Sequence, residues 1–109
     1  MMSKNWKDPI HPGEILADEL EEIGINANEL AKRLEIPHGR IYEILREERA
    51  VTASTALRLG KFFGTGPEIW MNLQKEYDLE IAEKKEAKDL KSIKPFKMKK
   101  SKTPEEIRV

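Results

Sequence analysis

Residues 26–46, NANELAKRLEIPHGRIYEILR, decide how this chain folds. Two apolar stripes at helical spacing, Ala27/Leu30/Ala31/Leu34 and Ile41/Ile44/Leu45, flank a sharp break at Glu35-Ile36-Pro37. Asn26 is placed to cap the first helix, and Glu29 three residues on completes a capping box, so the helix is expected to start at Ala27. It cannot run through Pro37, because proline has no N–H and drives the preceding Ile36 out of the α region. At the first position of a new helix the same proline is favourable. Small Ala31 lets the two helices approach closely at a steep angle. The stretch therefore reads as helix, tight turn, helix.

A pair of this size matches a helix-turn-helix, whose second helix enters the DNA major groove with its N-terminal residues on base edges. Ile41, Ile44 and Leu45 face the core, which leaves His38, Gly39, Arg40, Tyr42 and Glu43 as candidate base readers. The guanidinium fork of Arg40 suits O6 and N7 of a guanine together. His38 and Tyr42 suit a base edge or a thymine methyl, and Glu43 can accept from cytosine or orient Arg40 three residues earlier. Gly39 lets the backbone come close. Phosphate contacts are expected from the Ala27 and Asn28 amides at the start of the first helix, and from Lys32, Arg46, Arg49 and Thr52 around the edges. Exposed residues of these types are often only solvated, so the flanking sequence has to supply the context.

Working outward, Pro12 to Ile23 reads as a helix with Leu16, Leu20 and Ile23 inward, His11 ending or capping its approach and Gly24 stopping it. On the other side the loop 46–51 leads to Thr52, which caps a helix from Ala53 to Phe63 with Ala56, Leu59, Gly60 and Phe63 inward. Gly60 costs about 1 kcal/mol against alanine in a helix, which is explicable if another helix crosses there. Gly64-Thr65-Gly66 breaks the chain, and Pro67 at the first helical position opens a fifth helix with the stripe Ile69, Trp70, Leu73 and Tyr77. Beyond Asp78 the pattern thins, and this helix is expected to end near Leu90. The sum is an all-α domain of five helices over residues 10–80. A flexible N-terminal arm, 1–9, precedes it, with Trp6 expected to pack back on the domain or on a partner rather than to act as a ligand. Residues 81–109 form a helix extension and a Lys-rich, largely disordered basic C-terminal tail.

Composition narrows the classes. At 109 residues there is room for one ordinary domain, and with 39% apolar residues its core must be small and mostly Ile and Leu. No cysteine means no disulfide frame and no thiolate metal site, which fits a reducing cytosol. No apolar run approaches the roughly 20 residues of a membrane span, and the N-terminus lacks the apolar core of a signal peptide, so a cytoplasmic protein without membrane contact is expected. His11 and His38 sit in separate motifs and no Gly-rich phosphate loop is present, so neither an enzyme nor a cofactor is expected.

The net charge of zero hides a segregation. Residues 1–50 hold 7 Lys/Arg against 11 Asp/Glu, whereas residues 51–109 hold 13 against 9. Glu14, Asp18, Glu19, Glu21 and Glu22 stand uncompensated on the first helix, while Lys84 to Lys102 contains nine Lys and two acids. The acidic face is either a solvated surface or, through Glu14, Asp18, Glu21 and Glu22, a docking site for a cationic protein. Because one such unit reads only a few base pairs, a homodimer on a palindromic double-stranded operator is expected. Leu57, Phe62, Ile69 and Trp70 either form its surface or close the monomer core.

The stretch resembles the helix-turn-helix of the Xre-like, phage-repressor superfamily. With His11-Pro12-Gly13-Glu14-Ile15-Leu16 before it, and Val51-Thr52, Thr55 to Leu59, Phe62 to Thr65 and Pro67 to Gln74 after it, the chain is similar to the HigA (VapI-like) antitoxin family over roughly residues 10–80. That resemblance implies a phage-repressor-like DNA-binding domain in a toxin-antitoxin module. The protein would repress its own operon and neutralise a HigB-type, mRNA-cleaving toxin. The alternatives are a stand-alone Xre-like regulator with no toxin partner and a protein-interaction module that has lost DNA binding. One departure is Glu35, at a turn position where the superfamily usually has glycine; a left-handed backbone there strains it by roughly 1 kcal/mol.

Overall fold

The computed structural model describes residues 9–97; residues 1–8, including Trp6, and the tail from residue 98 lie outside the described residues. The described residues form six helices and no strand: α1 (Pro12–Ile23), α2 (Ala27–Leu34), α3 (His38–Leu45), α4 (Ala53–Phe63), α5 (Glu68–Lys85) and α6 (Ala87–Lys91).

Local chemistry sets most of the boundaries. His11 caps α1, its Nδ1 accepting the Gly13 N–H at 2.9 Å, and left-handed Gly24 ends the helix with its N–H on the Leu20 carbonyl. Asn26 caps α2 by accepting the Glu29 N–H at 2.9 Å. The reciprocal half of the expected box is replaced, because the Glu29 carboxylate instead takes the Arg33 guanidinium at 2.8 Å. Thr52 accepts the Thr55 N–H to cap α4, and left-handed Gly64 stops it. Pro37 and Pro67 differ from expectation by one place, standing at the N-cap rather than inside the first turn. An N-cap residue needs no intrahelical N–H either, so proline is tolerated at both places.

The core is built from Leu16, Leu30, Ile41, Ile44, Ala56 and Leu59, all at 0% exposure, with Leu20, Leu34, Val51 and Trp70 around them. α3 packs on α2 and α1, and α5 packs on α4 and α1. Burying each large aliphatic side chain contributes about 1.5–3 kcal/mol, which is why helices as short as α2 and α3 persist. Gln74 on α5 is also buried; it accepts the Val51 N–H at 2.8 Å and donates to Asp78 at 2.9 Å, tying the α3–α4 loop to α5.

Several expectations are corrected. A Cβ on Gly60 would meet the Gly66 carbonyl carbon at 2.3 Å, so it is the Gly66-Pro67 turn, not a crossing helix, that requires a small residue. Ile23 is 44% exposed because α1 ends there. Trp70 is only 3% exposed and stacks on Phe63 at 5.8 Å between ring centroids, so it closes the monomer core and has no area left for a dimer. Leu57 and Ile69 do stand exposed, and Phe62 is half-buried. The extension past Asp78 is two helices, with a break at Glu86. Every residue from 78 to 97 is exposed, so this extension adds nothing to the buried core.

Candidate nucleic-acid interface

The turn between α2 and α3 is fixed from both sides. Glu35 adopts the left-handed conformation at φ 61°, the Ile36 N–H returns to the Ala31 carbonyl at 3.1 Å, and the Glu35 N–H to Lys32 at 3.2 Å. This is the helix end that glycine normally serves, made here with glutamate. Arg58 reaches over from α4 and donates its Nη1 N–H to the Leu34 carbonyl at 2.7 Å, satisfying a terminal carbonyl of α2. A third constraint acts on α3 itself: a Cβ on Gly13 would lie 2.0 Å from the Ile44 carbonyl oxygen, so α1 rests directly on the backbone of α3. Sequence reasoning assigned no role to Arg58, Gly13 or Gln74. Their partners are 24, 31 and 23 residues away, and no local pattern encodes them.

Held this way, α3 buries Ile41 and Ile44 and presents the rest. His38, Gly39 and Tyr42 are exposed, and Arg40 and Glu43 are half-buried. The rings of His38 and Tyr42 meet edge to face at 6.1 Å, so they share one side of the helix, and nothing stands within 4 Å of a Cβ at Gly39. A shallow groove lined by Asn28, Lys32, Ile36, Pro37 and His38 joins the side of α2 to the start of α3. The first intrahelical bond of α2 runs from the Leu30 N–H to the Asn26 carbonyl at 3.0 Å. The Ala27 and Asn28 amides precede it, at the positive end of the helix dipole. The Ala27 side chain is buried, which leaves its amide as the group to offer.

The loop after α3 differs from the expectation in one respect. Glu43 does not orient Arg40: its carboxylate pairs with Arg49, while Arg46 pairs with Glu48 at 3.3 Å. The loop turns back at left-handed Glu47, whose N–H bonds the Ile44 carbonyl at 2.9 Å, and this brings Arg49 beside α3. The Thr52 hydroxyl oxygen accepts the Thr55 N–H at the α4 cap. On α1, Asp18, Glu21 and Glu22 line a shallow cleft, and Glu14 is half-buried. The Arg33 guanidinium bonded to Glu29 holds that carboxyl below the usual glutamate range. Among the described residues no cluster of His, Asp or Glu could hold a metal ion, and no helix is long and apolar enough to cross a membrane.

Comparison with known proteins places this geometry. The helix-turn-helix family model matches residues 16–70. Virulence-associated protein I of Dichelobacter nodosus is 51% identical over 81 residues, covering 73% of this chain and 75% of that protein. An addiction module antidote protein of a HigA family from Coxiella burnetii superposes with a TM-score of 0.80 at 54% identity, covering 82% of this chain and 99% of that one. The Pseudomonas aeruginosa antitoxin HigA, solved with the higBA promoter, gives 0.79 at 43% identity, covering 82% and 99%. The fold and the matched segment define a helix-turn-helix protein of the Xre-like type. Within that class, the chain belongs to the HigA antitoxin family.

Proposed function

We propose that this chain is the antitoxin of a type II toxin-antitoxin module, binding its own operator as a homodimeric repressor and neutralising an mRNA-cleaving, HigB-type toxin. The observation that carries the DNA half is the α3 surface: exposed His38, Gly39 and Tyr42 and half-buried Arg40 on a helix whose angle is set by three other elements. The Pseudomonas relative solved with promoter DNA supports the same reading.

Arg40 is assigned to a guanine and His38 and Tyr42 to neighbouring edges, with Gly39 admitting the backbone. Lys32, Arg46, Arg49, Thr52 and the amides of Ala27 and Asn28 are assigned to phosphates. Glu43 acts by holding Arg49 rather than by touching a base. Leu57, Phe62 and Ile69 are the proposed dimer contacts, with half-sites about one helical turn apart. Glu14, Asp18, Glu21 and Glu22 are assigned to the toxin, since a protein that cleaves RNA needs a basic surface.

Two experiments separate the halves. A mobility shift should retain the chain's own promoter over a scrambled duplex of equal length by 10³-fold or more at physiological salt; equal retention rejects the repressor. Co-expression with the adjacent small open reading frame should yield a co-purifying complex and rescue growth. Growth without any complex leaves a stand-alone regulator.

A further inference from the structure

Past Lys85 the sequence repeats every three residues: Glu86-Ala87-Lys88, Asp89-Leu90-Lys91, Ser92-Ile93-Lys94, Pro95-Phe96-Lys97. Each triplet ends in an apolar residue followed by lysine. On an α-helix such rows slew by about 60° per triplet, whereas at three residues per turn they run straight. The backbone tightens in this way only where α6 ends. The Leu90 N–H bonds four residues back to Glu86 at 2.9 Å, but Ser92 and Ile93 bond three back, to Asp89 and Leu90, at 3.2 and 3.1 Å. Pro95 then bars further helix. Lys88 and Lys91 share one side of α6 and Ala87 and Leu90 the next, and beyond the helix the sequence continues the two rows as Lys94 and Lys97 beside Ile93 and Phe96.

The apolar row is left open, with Leu90, Ile93 and Phe96 exposed by 43%, 67% and 84%. DNA phosphates would use the lysines but have no use for that row. A protein surface that is both acidic and apolar matches the two rows together. The chain carries such a surface on α1, where Asp18, Glu21 and Glu22 line their cleft beside exposed Ile23, with no cation paired to them among the described residues. Within one copy α6 and α1 are not among the helix pairs that pack together.

We infer that residues 86–97 of one copy lie along the outer face of α1 of a second copy, with Lys88, Lys91 and Lys94 over Asp18, Glu21 and Glu22 and the apolar row against Ile23. The same carboxylates are assigned above to the toxin, so a cationic toxin would have to displace this segment. The contact depends on neither DNA nor toxin.

The absence of cysteine makes the test direct. Full-length Glu21→Cys and full-length Lys91→Cys, mixed and mildly oxidised, should give a disulfide-linked heterodimer at least tenfold above the yield of Lys91→Cys mixed with Ser54→Cys. The excess should vanish in 1 M salt, where the Debye length is about 3 Å. Adding Lys88→Glu and Lys94→Glu should abolish the product, and reversing Asp18 and Glu22 to Lys in the other chain should restore it. No excess over the control overturns the inference. So does a bond formed only inside a chain carrying both cysteines. An excess unaltered by Lys88→Glu and Lys94→Glu, with DNA affinity falling instead, assigns the lysines to DNA and also overturns it.

Discussion

α2 and α3 are each eight residues long and are built in opposite ways. α2 is stabilised locally: Asn26 caps its start, Glu29 pairs with Arg33 along its side, Lys32 and Arg33 complement the dipole at its end, and four residues are buried. α3 has no side-chain cap and no charge matched to its dipole in either terminal turn, and it buries only Ile41 and Ile44. An isolated helix of that length is marginal in water. Its order comes from α1, α2 and the pinned turn, and that arrangement leaves the side chains of His38, Arg40 and Tyr42 unspent. The helix assigned to reading DNA is the one that does least to hold itself together.

This contrast can be broken most severely at Ile44. Truncation to alanine removes one of two anchors at 0% exposure and should destabilise the domain by about 2–5 kcal/mol in urea unfolding. Gly13→Ala should come next, at about 1–3 kcal/mol, because its methyl forces α1 off the backbone of α3. DNA affinity should fall with it even where the protein stays folded, since the angle of α3 changes. Asn26→Ala should cost about 1 kcal/mol by removing the cap of α2. His38→Ala, at the matching end of α3, should leave the unfolding midpoint almost unmoved.

The smallest effect concerns Glu29. Its folded carboxyl titrates below its unfolded value of about 4.3, so the pair with Arg33 contributes fully above that value and is lost as pH falls through the folded one. The stability difference between wild type and Glu29→Gln should be small at pH 7, because the pair is exposed, and should disappear in acid. A difference that persists at pH 2 would mean that Glu29 stabilises by packing.

What the sequence disclosed follows the same division. The limits of α1, α2 and α4 were legible because Asn26, Thr52, Gly24 and Gly64 act on amides and carbonyls a few residues away. The left-handed Glu35 was legible only through the resemblance, which sets it where that superfamily usually has glycine. The supports of α3 were not, because Arg58, Gly13 and Gln74 act across more than twenty residues. The burial of Trp70 beside exposed Ile69 depends on how α5 is rotated, and a broad apolar stripe leaves that rotation open. The partner of Glu43 was not legible for a related reason. Its spacing to Arg40 fits an intrahelical pair, but the turn at Glu47 brings Arg49 closer.

The most direct test is the binding of wild type and Arg40→Ala to the chain's own promoter, and to versions with single base pairs exchanged, across a salt series. Wild type should discriminate among the duplexes. Arg40→Ala should lose about 1–3 kcal/mol on the native site and become indifferent at one base pair, with little change in salt slope. A wild-type protein that binds every duplex alike would contradict the account.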